Sequence, residues 1–164
     1  MKTNWVIDEV DDFTRNKKDL IFSCKISDLG KRVSSSEFLA SLEENVYGKV
    51  KGTIDELMRP RLRLEVRGDI KLICQICLKP FSFHVDEKVD LIIFNNEEDL
   101  TKALNDDFNI EGIVSDNNAI DLLHLIEDQV ILTIPFSPQH EDCENECLAE
   151  INKDKPNPFR VLKN

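Results

Sequence analysis

Glycine is scarce in this chain, with five residues among 164. None of the five lies in a phosphate-binding loop or a dinucleotide-binding fingerprint, because both motifs need closely spaced glycines before a helix. Aromatic platforms on which unstacked bases can stack are scarce, because Trp5 lies far from the basic segment and Phe81 and Phe83 share the predicted core face of their strand. The sequence therefore indicates neither a nucleotide-binding enzyme nor base-specific recognition of single-stranded nucleic acid.

Long apolar runs are also absent. No run approaches the roughly 20 residues that a helix needs to cross a bilayer, and we find no charged-then-apolar leader. Five cysteines are an odd number, which argues against a secreted disulfide framework. We therefore expect a soluble cytoplasmic protein with reduced thiols and no membrane partner.

The groups that usually carry catalysis do not form a recognisable set. His84, His124 and His140 are isolated from one another in the sequence, and the first two are typical of structural histidines. Acidic residues are abundant, but no pair stands out as a general acid and a general base. We therefore predict that the chain is not an enzyme.

Alternation of apolar and polar residues predicts the centre of the fold. Apolar residues occupy even positions over 62–72 and odd positions over 81–93. A period of two is typical of half-buried strands, so these segments predict a long hairpin with a Cys-x-x-Cys turn at its tip. A third strand is predicted over 46–54 and a weaker fourth over 20–26, and together they favour an antiparallel β-meander.

The second half of the chain predicts a helix between less regular segments. Residues 119–134 are mostly apolar and stop at Pro135, a residue that ends helices. We therefore predict a single α+β domain in which a sheet with a long central hairpin packs against one or two helices. Its segments are an N-terminal arm (1–19), a β-rich sheet (20–94), an acidic loop (95–118), the helix (119–134) and an irregular, cysteine-containing C-terminal tail (135–164). Within the acidic loop we predict a short helix and a short strand near 108–114.

Charge is distributed unevenly along the chain. The formal net charge is -11, which disfavours contact with a phosphate backbone, yet residues 49–79 contain eight basic and four acidic residues. Alternate residues of a strand lie on one face about 6.6 Å apart, so this segment predicts a spaced cationic row. Such a row suits an extended phosphate chain, acidic side chains of a neighbour, or solvent. The candidate RNA-binding residues of the cationic row are Arg59, Arg61, Arg63, Arg67 and Lys71.

The most distinctive motif is a pair of cysteine pairs, Cys74-x-x-Cys77 and Cys143-x-x-x-Cys147. Each pair can present two thiolates on one turn, and four thiolates are a ligand set that tetrahedral Zn²⁺ takes. His140, three residues before Cys143, can replace one cysteine in a mixed site. Two alternatives stay open, namely reduced cysteines without a metal and a redox dithiol, although a redox dithiol normally starts a helix and this one caps a hairpin.

Three sets of residues, in order along the chain, resemble a known family. They are Cys74-Gln-Ile-Cys77-Leu-Lys-Pro-Phe81, then Ile120-Asp-Leu-Leu123 with Glu127-Asp128 and Ile131-Leu-Thr-Ile-Pro135, and finally Lys155-Pro-Asn-Pro-Phe159-Arg-Val-Leu162. Together they resemble the bacterial YceD family, the large ribosomal RNA subunit accumulation proteins. The terminal block is the most distinctive, and its central residues are Pro156, Asn157, Pro158 and Phe159.

The resemblance implies a non-enzymatic role in ribosome biogenesis, in the synthesis, processing or stability of the large-subunit (23S) ribosomal RNA. Two mechanisms stay open. In the first, the cationic row binds ribosomal RNA or a precursor of the large subunit. In the second, the acidic remainder of the chain is an interaction module that binds a basic ribosomal protein and affects RNA only indirectly. No small-molecule substrate is indicated.

Overall fold

The computed structural model describes residues 5–141 and Cys143. Its largest unit is a five-stranded sheet, which confirms the predicted α+β class and the meander with a long central hairpin. Four strands follow one another as antiparallel neighbours. They are β2 (Asp19–Lys25), β3 (Asn45–Ile54), β4 (Pro60–Ile73) and β5 (Pro80–Phe94).

The fifth strand lies where the sequence predicts a short strand near 108–114, but its parallel direction is not part of the predicted meander. Strand β6 (Glu111–Val114) lies beside β5 and runs parallel to it. A parallel neighbour requires a crossover connection, and α3 (Glu97–Asp106) supplies it. The acidic segment after β5 therefore contains a helix and an edge strand of the sheet.

Short elements complete the described part of the chain. The last of them, α4, lies within the helix predicted over 119–134, and Asp121 caps it by accepting a hydrogen bond from the His124 N–H at 3.3 Å. Among the described residues, no helix has the length and apolar character of a membrane span. The short elements are β1 (Val6–Ile7), α1 (Val10–Arg15), a 3₁₀ turn (Ile26–Asp28), α2 (Lys31–Ser34), β7 (Ile120–Asp121) and α4 (Leu122–Thr133), with β1 and β7 paired antiparallel.

The core lies between one face of the sheet and the helix α4. The even-numbered apolar residues of β4 are buried, as their period of two predicts. Leu122, Ile126 and Val130 of α4 are also fully buried, and their spacing of four residues places them on one side of the helix. The odd-numbered residues of β4 face away from this core, which is the arrangement that a surface row of charges requires.

Some predicted segments lie outside the described residues. Residues 1–4 belong to the predicted N-terminal arm, and most of the predicted tail lies beyond Cys143. Cys147 and the block from Pro156 to Phe159 are therefore not included in the structural description.

Candidate metal centre and cationic face

The turn between β4 and β5 is organised around Cys74. Its backbone N–H donates to the carbonyl of Lys79 at 3.0 Å, and its carbonyl accepts from the N–H of Leu78 at 2.9 Å. Leu78 adopts a φ of 60°, which lets the chain reverse within a few residues. The Cys74 thiol is fully buried by this turn, so its sulfur faces the interior of the turn rather than solvent.

A second segment, which follows α4 in the chain, packs against the turn and contributes further ligand atoms. The N–H of Gln75 donates to the carbonyl of Pro138 at 2.8 Å, and the rings of Phe81 and His140 lie 5.8 Å apart between centroids. These two contacts hold Pro138 and His140 against the tip of the hairpin. Side chains that are more than 60 residues apart in sequence therefore meet at one place.

Four side chains form a compact cluster that can hold a metal ion: Cys74, Cys77, His140 and Cys143. Their ligand atoms all lie within 4.8 Å of one another. The two sulfurs of Cys74 and Cys143 are 3.4 Å apart, and the Cys77 sulfur is 3.9 Å from Nδ1 of His140. Zn–S and Zn–N bonds of about 2.3 and 2.0 Å place tetrahedral ligands roughly 3.5–3.8 Å apart. The donor set and its spacing therefore fit Zn²⁺.

The local electrostatics also favour a thiolate at Cys74. Burial opposes ionisation of this thiol, but hydrogen bonds from the backbone N–H groups of Cys77, Ile76 and His140 and from the Cys143 thiol outweigh it and lower the pKa of Cys74 to about 6. Burial, together with hydrogen bonds to Cys74 and Cys77, raises the pKa of Cys143 to about 12. The first thiol to ionise is thus the one that the backbone stabilises, and a thiolate is the form that binds a metal.

The cluster contains three of the four cysteines predicted as zinc ligands, namely Cys74, Cys77 and Cys143. Cys147, the fourth, lies outside the described residues. His140, which the sequence offered as a replacement for one cysteine, has its ring nitrogen within the cluster. Among the described residues, the arrangement is therefore a Cys₃His set.

The cationic row lies on the solvent face of β4, and two of its members form ion pairs with β5. Arg63 donates two hydrogen bonds to Asp90, from Nε at 2.8 Å and from Nη2 at 3.1 Å. Arg67 donates from Nε to Asp86 at 2.8 Å. Both pairs are directly opposite one another in the register of the two strands. Their side chains remain between 42% and 53% exposed, so the pairs are open to solvent.

The other three members differ in their surroundings. Arg59 pairs with Asp55 inside the β3–β4 turn at 2.7 Å and is the least exposed of the paired arginines. Arg61 donates from Nε to the Thr53 hydroxyl at 3.3 Å. Lys71 is exposed and forms no ion pair with the described residues. Three members of the row, Arg59, Arg63 and Arg67, therefore pair with acids, whereas Arg61 and Lys71 form no ion pair with the described residues.

The surface that surrounds the cationic row extends beyond β4 to the neighbouring strands. Strands β2, β3 and β5 place their own polar side chains beside it, so that basic residues outnumber acidic ones on a chain whose net charge is -11. We call this surface the cationic face. It contains eight basic residues, Lys25, Lys49, Lys51, Arg61, Arg63, Arg67, Lys71 and Lys88, and five acidic ones, Asp19, Glu65, Asp69, Asp86 and Asp90.

Comparison with known proteins agrees with the resemblance of the sequence motifs. The family model described as "Large ribosomal RNA subunit accumulation protein YceD" matches residues 62–164. A protein of that name from Haemophilus influenzae is 29% identical over 145 residues, which cover 78% of this chain and 80% of the relative. No solved structure matches the chain. The family name connects its members with accumulation of the RNA of the large ribosomal subunit, and the matched region makes this chain a member of the YceD family.

Proposed function

We propose that the chain is a non-enzymatic cytoplasmic factor that supports the synthesis, processing or stability of 23S ribosomal RNA by binding the RNA of the large subunit or its precursor. The cationic face is the surface assigned to this contact. The observation that carries the proposal is the excess of basic side chains on this one face of a chain that is acidic overall. An extended phosphate chain pairs with such a spaced row without any need to read bases.

The ion pairs at the centre of the row are compatible with RNA contact. Arg63 and Arg67 are about half exposed, and exposed ion pairs contribute little to stability. An arginine fork binds phosphate as well as carboxylate. Asp90 and Asp86 therefore hold the two guanidinium groups extended on the face until a phosphate replaces them.

Zn²⁺ bound by Cys74, Cys77, His140 and Cys143 is part of the same proposal. The ion would tie the segment from 138 to 143 to the tip of the β4–β5 hairpin, at one end of the strand that carries the cationic row. Its role would be structural, because four protein ligands leave no open coordination position. Cys147 is an alternative fourth ligand to His140.

A second function is favoured by a different observation. The chain outside the cationic face carries the acidic excess, and the centre of the face is partly neutralised by Asp86 and Asp90. In this second function the chain binds a basic ribosomal protein and influences the RNA indirectly. Charge complementarity supplies the specificity and the fast association of such contacts.

Direct RNA contact is tested by replacing Arg61, Arg63 and Arg67 with glutamine and measuring affinity for 23S ribosomal RNA and for isolated large subunits. A matched control replaces Arg15, Lys17 and Lys31, three exposed cations outside the cationic face, so that the net charge changes equally. We expect the first variant to lose most of its affinity and to flatten the dependence of log K on log salt by about two to three. The control should retain the wild-type slope.

Equal losses in the two triple variants would refute a role for the cationic face. The second function has its own readout, which is capture of a basic ribosomal protein from lysate treated with nuclease. Recovery of such a protein, with unchanged RNA affinity in both triple variants, would replace the first function by the second. Recovery of nothing after nuclease treatment would refute the second.

A further inference from the structure

A groove of about 650 Å³ lies between α4 and the edge formed by β5 and β6, on the side of the molecule away from most of the cationic face. Two of its apolar residues are unusually open to solvent, since Leu132 is 78% exposed and Leu104 is 37% exposed. Isolated exposed leucines are ordinary, but apolar residues that line a shared groove mark an interaction site. The principal apolar residues of the groove are Val89, Leu91, Ile113, Leu125, Ile131 and Leu132.

Acidic residues on the rim of the groove outnumber basic ones by three to two. Glu87, Glu111 and Asp128 line it, together with the cations Arg32 and Lys88. Arg32 is already engaged, because its two terminal nitrogens lie 2.8 Å from carboxylate oxygens of α4. Neither Glu87 nor Glu111 forms an ion pair with any described residue. The rim thus presents two carboxylates that lack a cationic partner within the described range.

Helix α3, which contributes one residue to the groove, is itself predominantly acidic. Its residue Leu104 lines the groove, and its first turn contains Glu97, Glu98 and Asp99. Lys102 is the helix's single basic residue. An occupant with phosphate groups would be repelled here, whereas lysine and arginine side chains would be attracted.

We infer that this groove binds a basic amphipathic segment of a partner protein. Apolar side chains of that segment would enter between α4 and the β5–β6 edge, and its lysine or arginine residues would pair with Glu87 and Glu111. Short segments with apolar anchors commonly bind apolar grooves in this manner. The inference rests on the second proposed function, in which the chain holds a basic protein, and it specifies the surface that does so.

The test uses the full chain and a fluorescent synthetic peptide of 18 residues in which leucines recur every three or four positions among lysines. Leu132→Lys should weaken binding by about tenfold or more, because it removes an apolar contact and repels the probe. Leu57→Lys is the matched control, since Leu57 is 71% exposed in the turn between β3 and β4. A peptide with each lysine replaced by glutamate should not bind. Equal affinity of the two chain variants, or of the two peptides, would overturn the inference.

The contribution of the rim is measured separately. Replacing Glu87 and Glu111 with glutamine should reduce the salt dependence of peptide binding, because two carboxylates no longer attract the probe. The control replaces Glu37 and Glu56, which are exposed and outside the groove, and should leave the salt dependence unchanged. The same salt dependence in both double variants would overturn the assignment of the rim.

Two other occupants have distinct signatures, and either would overturn the inference. A wild-type dimer in sedimentation that Leu132→Lys converts to a monomer would assign the groove to a second copy of the chain. Peptide binding that is seen only after Lys153, Lys155, Arg160 and Lys163 are replaced by glutamine would assign it to the chain's own C-terminal residues. If Leu132→Lys still captures a basic ribosomal protein after nuclease treatment, the second function stands and the groove assignment fails.

Discussion

The strand that carries the cationic row is bounded by two turns that each begin with a side-chain acceptor and differ in the groups that reach it. In the turn between β3 and β4, a carboxylate oxygen of Asp55 accepts hydrogen bonds from the N–H groups of Leu57 at 3.0 Å and Arg59 at 2.8 Å. Met58 adopts a φ of 62°. The guanidinium of Arg59 adds a bond to the same carboxylate at 2.7 Å, so this turn is closed by its own residues.

In the turn between β4 and β5, the side-chain acceptor is a sulfur. The Cys74 thiolate accepts hydrogen bonds from the N–H groups of Ile76 and Cys77, and Leu78 adopts a φ of 60°. No arginine closes this turn among the described residues. The ligand atoms of Cys77, His140 and Cys143 converge on the sulfur instead.

In both turns the side chain of the first residue accepts hydrogen bonds from two backbone N–H groups of the turn, and the acceptor is oxygen in one and sulfur in the other. The conditions to which each turn is sensitive depend on the other groups that contact this acceptor. A turn whose carboxylate pairs with a guanidinium loses this interaction when acid protonates the carboxylate. A thiolate surrounded by two thiols and an imidazole makes a turn whose ligand set can hold a metal ion.

The largest expected effect is on the metal side of this comparison. Removing Zn²⁺ with a chelator, or replacing Cys77 with serine, should lower Tm by roughly 10 °C or more, because structural zinc stabilises folded sites strongly and each kcal/mol shifts Tm by about 2–4 °C at this chain length. Thermal unfolding followed by circular dichroism measures the shift. The chelator should have no further effect on Cys77→Ser, and an unchanged Tm in chelator would contradict the metal-closed turn.

A smaller effect is expected at the other turn. Asp55→Ala removes the acceptor of two backbone N–H groups and should lower the free energy of unfolding by about 1–2 kcal/mol. Glu56→Ala, at the exposed neighbouring position, is the control and should change it little. Denaturant unfolding gives both values. A larger loss from Glu56→Ala than from Asp55→Ala would show that the carboxylate does not organise the turn.

The third prediction concerns acid. Burial opposes ionisation of Asp55, but the hydrogen bonds from Arg59 and Leu57 outweigh it and lower its pKa. A lowered pKa in the folded state stabilises the protein above the pKa of an unfolded aspartate, about 3.9, and this stabilisation is lost as pH falls through the folded value. The stability difference between wild type and Asp55→Asn should therefore be constant near neutral pH and shrink below about pH 4. A constant difference down to pH 2 would contradict it.

The smallest expected effect concerns the backbone conformation of the two turns. Met58 and Leu78 are 76% and 72% exposed and both have positive φ, a conformation that glycine adopts without steric cost. Met58→Gly and Leu78→Gly should each stabilise the protein by roughly 0.5–1 kcal/mol. Similar gains in denaturant unfolding would confirm that positive φ carries the same steric cost in both turns, whereas a loss at either position would contradict it.

The sheet could be predicted from the sequence because its period of two extends over long strands. The core positions of β4 and β5 follow directly from that alternation. The partners of Arg63 and Arg67 were not predicted, although the turn fixes the register that places Asp90 and Asp86 opposite them. These acids occupy polar positions of β5. Their pairing with Arg63 and Arg67 can therefore be predicted only when the length of the turn is known.

Other features depend on tertiary structure. Strand β6 has four residues, so its place is predicted near 108–114 but its partner is not, and its parallel direction comes from the crossover through α3. The arrival of His140 at the cluster depends on how the segment after α4 returns to the hairpin tip, where Gln75 binds the carbonyl of Pro138. The groove beside α4 also forms only when the helix, β5 and β6 come together.

The most direct test of the central claim, that a metal closes the tip of the β4–β5 hairpin, is the metal content of protein purified without chelator. We predict close to one Zn²⁺ per chain in the wild type and little or none in Cys77→Ser. The same protein should show fewer thiols that react with a thiol reagent than it does after chelation. A wild-type chain that contains no metal and whose cluster thiols react freely would contradict the account.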